Sequence, residues 1–156
     1  MNAKNHSLMY LKFSLGKGIM FSKHGHLNIE GYINSNFVKS RLDRKYTSGY
    51  VSFVGGNLVT WRSKNQNVVP LSSAEVEYHA LNHATLELTC SRILLSKLGF
   101  GPKKPMILFC DNRIAIEIAN NSVQHHRTKH IEFDKNYIKD NLNFGMIKVP
   151  YIKSVD

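Results

Sequence analysis

The segment that most constrains the fold is a short apolar run, Met106-Ile107-Leu108-Phe109-Cys110, set behind Pro105 and ended by Asp111. An unbroken apolar run has no polar face, so it predicts a strand buried on both sides. A chain of 156 residues has room for one core of this kind and not comfortably for two. The longest helical pattern, Leu71 to Leu98, carries Leu81, Ala84, Leu88 and Leu95 on one stripe, as a helix lying on a sheet does. Ser72 with Glu75 three residues later fits a capping box at its start, and Gly99 supplies the stop.

Leu27 to Ile33 reads as the first strand and Asn34 to Tyr46 as a polar, basic loop. Thr47 to Val54 and Leu58 to Arg62 are two further strands, with a hairpin signal at Gly55-Gly56-Asn57. Beyond Asp111, Arg113 to Ala119 reads as a helix, Asn120 to Arg127 as a loop, Thr128 to Leu142 as an amphipathic helix and Met146 to Tyr151 as a last strand. At the other end, Leu8 to Phe21 reads as a short helix broken at Gly16 and Gly18, and Ser22 to His26 as a linker. This order predicts an α/β fold with a mixed central sheet and flanking helices.

Twenty-one Lys and Arg against eleven Asp and Glu give a net charge of +10, which suits a polyanion such as nucleic acid and also serves solubility. No run approaches the length of a membrane span, and the N-terminus lacks the apolar core of a secretory signal. The expectation is an intracellular, non-membrane protein. Cys90 and Cys110 match neither a zinc spacing nor a disulfide framework, and both are expected to be reduced core thiols.

Three acids, Glu75, Glu77 and Asp111, are candidates for chemistry, and Glu75 is accounted for by the capping box. Glu77 opens the apolar stripe of the long helix, where a carboxylate must be paired, protonated or bound to a cation. Asp111 ends the buried strand, where open α/β sheets place their ligands. If both face one crevice they suit Mg2+, a hard cation that prefers carboxylate oxygen. A plainer reading has Glu77 reaching a lysine and Asp111 capping the next helix, and spacing alone leaves both open. The pairs His79/His83 and His126/His130 lack a third ligand and read as surface histidines, while Tyr50 and Trp61, which could stack on bases, read rather as core aromatics of a hairpin. Ser72-Ser73 has no nucleophile-elbow context.

The chain also carries, in order, Tyr46-Thr47-Ser48-Gly49-Tyr50, the Gly55-Gly56 hairpin, Trp61-Arg62-Ser63-Lys64 with Gln66, and Leu71-Ser72-Ser73-Ala74-Glu75-Val76-Glu77-Tyr78. Cys110-Asp111-Asn112 and Arg127-Thr128-Lys129-His130-Ile131 follow. Together these motifs resemble the RNase H domain at the end of copia-type LTR-retrotransposon Pol polyproteins, plant ones in particular, from about Leu8 onward.

The resemblance implies an RNase H-like fold over residues 27–156, with residues 1–26 a remnant of the segment connecting reverse transcriptase to RNase H. It implies two-metal, Mg2+-dependent hydrolysis of RNA in RNA–DNA hybrids, with the hybrid as partner. Glu77 matches the helix carboxylate and Asp111 the carboxylate that ends the central strand, both catalytic metal ligands. The family's Gly-Tyr-x-Asp-Ala-Asp-Trp reads here Gly31-Tyr32-Ile33-Asn34-Ser35-Asn36-Phe37, so Asn34 stands at the first metal-ligand aspartate. The fourth acid and the closing C-terminal helix are expected past Asp156, which makes the domain truncated as well as degenerate. Lys39, Arg41, Arg44, Lys45, Arg127 and Lys129 flank the site and are expected to contact phosphates. Impaired Mg2+ binding and an inactive nuclease domain follow; a nucleic-acid-binding module without catalysis and a weakly active ribonuclease H are the alternatives.

Overall fold

The structure, a computed structural model, describes residues 9, 12–14, 16, 18–36, 46–66, 73–120 and 137–153. β1 (Ile29–Asn36), β2 (Tyr46–Val54) and β3 (Asn57–Gln66) form an antiparallel meander. After α1 (Ser73–Lys97), β4 (Met106–Phe109) pairs parallel to β1. Helix α2 (Arg113–Asn120) follows, and β5 (Ile147–Lys148) pairs parallel to β4. The strand order in the five-stranded mixed sheet is β3-β2-β1-β4-β5. Residues 137–143 are helical, which covers part of the helix expected over Thr128 to Leu142.

Local chemistry accounts for the key joints. Gly55 and Gly56 both have positive φ, 57° and 76°, giving the two-residue turn the twist that the flanking strands need. An added Cβ at Gly55 would overlap the His26 carbonyl. The stretch before β1 is laced to this turn: His24 Nδ1 donates to the Gly55 carbonyl at 2.6 Å, and Asn57 Nδ2 donates to the Ser22 carbonyl at 2.9 Å. A Cβ at Gly31 would stand 3.0 Å from Leu108 Cδ1 and 3.3 Å from Leu88 Cδ1, so the missing side chain lets α1 settle closely on β1 and β4. The core lies between the sheet and α1 with α2, where Ile29, Leu81, Leu88, Leu108, Ala115 and Ile138 are buried.

Several expectations change. β4 is not buried on both faces: Met106 and Leu108 are fully buried, while Ile107 and Phe109 on the other face are half-buried. Their apolar character is accounted for by aromatic neighbours, since Phe109 stacks on Tyr32 at 4.7 Å and Tyr32 meets Phe53 edge-on at 5.9 Å. Trp61 is 62% exposed and is no core residue, whereas Tyr50 packs on the core and its hydroxyl donates to Glu87 Oε2 at 3.2 Å. Cys90 is exposed, on an α1 surface where Leu86 and Ile93 are exposed too, and only Cys110 is a buried thiol. β1 runs on to Asn36, which puts Asn34 in a strand and not in the loop. The last strand shrinks to two residues, continued by an isolated bridge between Cys110 and Tyr151. Neither cysteine is in a disulfide, and no helix among the described residues is long and apolar enough to cross a membrane.

Candidate metal site

The stripe of α1 that meets the sheet begins with an acid. Glu77 is 3% exposed and shares its face with Leu81, Ala84 and Leu88, all buried. Asp111 sits at the bend between β4 and α2. Helix α2 is capped by Asn112 and not by Asp111, because the Ala115 amide donates to Asn112 Oδ1 at 3.1 Å. The Asp111 carboxyl is instead engaged with Glu77 through a side-chain hydrogen bond. Together with Cys110 Sγ these two side chains place three ligand atoms within 4.8 Å of one another.

Burial pushes the Glu77 carboxyl up to about 8, with the Asp111 charge and their shared hydrogen bond adding to the shift. In the metal-free protein at neutral pH, Glu77 therefore keeps its proton and donates it to Asp111. Burial likewise pushes the Cys110 thiol up to about 11, opposed by its hydrogen bond to the Asn112 backbone. That thiol lies 3.4 Å from the Asn112 amide nitrogen, which donates to it.

Asn34 lies at the neighbouring strand end. β1 and β4 pair as Glu30–Ile107, Gly31–Leu108 and Tyr32–Phe109, and two further steps of the same register set Asn34 beside Asp111. Asn34 is exposed and, by strand alternation, belongs to the Tyr32 side of the sheet. It lines a groove of about 270 Å³ with Tyr32, Gly49, Val51 and Trp61. The structure thus joins Glu77 to Asp111, adds Cys110, and sets Asn34, exposed on the Tyr32 side, beside Asp111 in register. The signal for Cys110 was its position next to Asp111, which its apolar neighbours masked. His79 is half-buried and His83 exposed, and neither belongs to the cluster. Lys39, Arg41, Arg44, Lys45, Arg127, Lys129, His126, His130, Ser72 and the side chain of Glu75 lie outside the described residues.

The donor set suits one divalent cation better than two. Two Mg2+ ions would bring four positive charges to a pair of carboxylates, and a thiol is a poor partner for so hard an ion.

No protein-family model matches the chain. A retrovirus-related Pol polyprotein from transposon RE2 of Arabidopsis thaliana is 31% identical over 155 residues, covering 99% of this chain and 11% of that protein. The corresponding polyprotein from transposon TNT 1-94 of Nicotiana tabacum is 30% identical over 142 residues, 91% of this chain and 10% of that protein. The chain is related to copia-type retrotransposon Pol polyproteins. This copia-type relative spans about a tenth of the length of the curated proteins it matches. LC11-RNase H1, solved in complex with an RNA/DNA hybrid, superposes with a TM-score of 0.53 at 13% identity, over 81% of this chain and 86% of that one. Prototype Foamy Virus Protease-Reverse Transcriptase gives 0.56 at 15% identity, over 88% of this chain and 19% of that one. The fold of the copia-type relative is accordingly α/β and RNase H-like.

Proposed function

We propose that the chain is an RNase H-like domain that has lost hydrolysis of RNA in RNA–DNA hybrids while keeping a surface that holds nucleic acid. One observation carries this reading: two carboxylates, Glu77 and Asp111, meet at the sheet end, where the adjoining end of β1 offers the amide of Asn34. In the family's reaction a pair of divalent cations prepares the attacking water and steadies the leaving oxygen. Here Asp111 and, once it gives up its proton, Glu77 can hold one cation. Asn34 offers a neutral oxygen that cannot supply the missing charge. Losing one electrostatic contribution of this kind typically lowers the rate about 100-fold or more. The net charge of +10 supports binding of a phosphate backbone, with Lys39, Arg41, Arg44, Lys45, Arg127 and Lys129 as the residues flanking the site in sequence. The test is a labelled RNA–DNA duplex incubated with the purified chain and Mg2+ or Mn2+. Binding that weakens with salt, with no cleavage beyond that of Asp111→Asn, is expected. Metal-dependent cleavage clearly above that control overturns the loss of hydrolysis.

A further inference from the structure

We propose that the face of the sheet turned away from α1 is a stacking platform for the unpaired bases of single-stranded nucleic acid, with the rings of Trp61 and Tyr32 as its surfaces. This deepens the nucleic-acid-holding part of the proposed function and does not rest on the loss of hydrolysis. Among the described residues the helices lie on the core side, α1 against β1, β2 and β4, and α2 against α1. The opposite face keeps an apolar row in register across four strands: Trp61 pairs with Val51, Val51 with Tyr32, and Tyr32 with Phe109. Trp61 is 62% exposed and Tyr32 37%, so both rings are open to a ligand.

The row is shaped for a flat ring. Tyr32 stacks on Phe109 with centroids 4.7 Å apart and meets Phe53 edge-on at 5.9 Å, which fixes its orientation before anything binds. The groove of about 270 Å³ lies along Tyr32, Val51 and Trp61. The next row, Asn34-Gly49-Ser63, is polar and has no side chain at its centre, where an added Cβ would stand 2.8 Å from the Arg62 carbonyl. An aromatic ledge therefore runs beside a polar trough whose amide and hydroxyl can reach base edges or sugars. The trough ends at Asn34, beside Asp111 in register, so the platform opens onto the metal-site edge.

Charge selects the occupant. Residues 46–66 carry Arg62 and Lys64 and no Asp or Glu. β3 is an edge strand, and along it the exposed Arg62 and Lys64 alternate with Trp61 and Ser63. Glu30 shares the open face but lies outside the groove. A sugar-phosphate backbone following this rim meets the cations and turns its bases inward over the rings. Two copies of a chain of net charge +10 repel each other, and a duplex has its bases already stacked and paired.

Trp61 is the one tryptophan of the chain, so its emission reports this site directly. Oligo(dT) and oligo(U) should each quench it on binding, because every base offers a π-face. An RNA–DNA hybrid should bind with little quenching. In anisotropy titrations with labelled oligomers, Trp61→Ala should weaken oligo(dT) about tenfold, Trp61→Phe should restore most of that, and neither should change hybrid affinity. Single strands that fail to bind, bind without quenching, or bind Trp61→Ala as tightly as the unaltered chain overturn the platform and leave the proposed function standing. An equal loss of single strand and hybrid in Trp61→Ala also overturns it, since the ring then serves the fold or a shared phosphate surface. Trp61-dependent binding of single strands by a chain that does not bind hybrid upholds the platform and removes the hybrid surface.

Discussion

Glu77→Gln isolates the electrostatic state of the Glu77–Asp111 pair. The Glu77 carboxyl moves from its usual 4.5 to about 8 on folding, so between those values the folded chain holds a proton that the unfolded chain has released. Stability conferred by that proton is fully present below pH 4.5 and declines as pH rises through the window, levelling off above about 8. At ~1.4 kcal/mol per pKa unit the full loss has an upper limit of about 5 kcal/mol. Asp111 is only half-buried, so water reaches one side of the pair, and a working figure is about 2 kcal/mol. Glutamine keeps the shape, can donate to Asp111, and never ionises. Urea denaturation of both proteins in EDTA should show little difference at pH 5, and the variant ahead by about 2 kcal/mol at pH 8.5. A difference that stays flat across this range, or a variant that falls behind at pH 8.5, refutes the claim that Glu77 is ionised at a cost.

Asn34→Asp should slightly lower the melting temperature in EDTA, gain stability when Mg2+ is added and recover only a trace of hybrid cleavage; differential scanning fluorimetry with and without Mg2+ reads the first two. Hybrid affinity should fall steeply as salt rises, and replacing Lys39, Arg41, Arg44 and Lys45 with Gln should flatten that slope; an affinity indifferent to salt removes the phosphate role. Gly55→Ala should destabilise the chain by ~1–3 kcal/mol in chemical denaturation, because φ there is +57° and the new Cβ meets the His26 carbonyl. Wild-type stability in that variant would contradict the close docking of the segment before β1 onto the hairpin turn.

Much of this molecule is written in local patterns. The 3.6-residue stripe reports the long helix and the face it buries, the glycine pair reports the hairpin turn, and the apolar run before Asp111 reports a strand but not that only one of its faces is fully buried. From them the α/β layering, the position of α1 to within two residues at its start, and the burial of Glu77 could all be read. What they cannot report is which non-adjacent groups meet. That Trp61 stands in solvent, that Cys90 sits on the outer side of α1, and that Asn112 takes over the capping of α2 depend on which faces neighbouring elements cover. The joining of Cys110 to the acid pair depends on a break in strand alternation just past Phe109. Periodicity assumes that each element continues regularly, and here the chemistry gathers where one stops, so only the three-dimensional packing of β4 against α1 decides which side chains share the site.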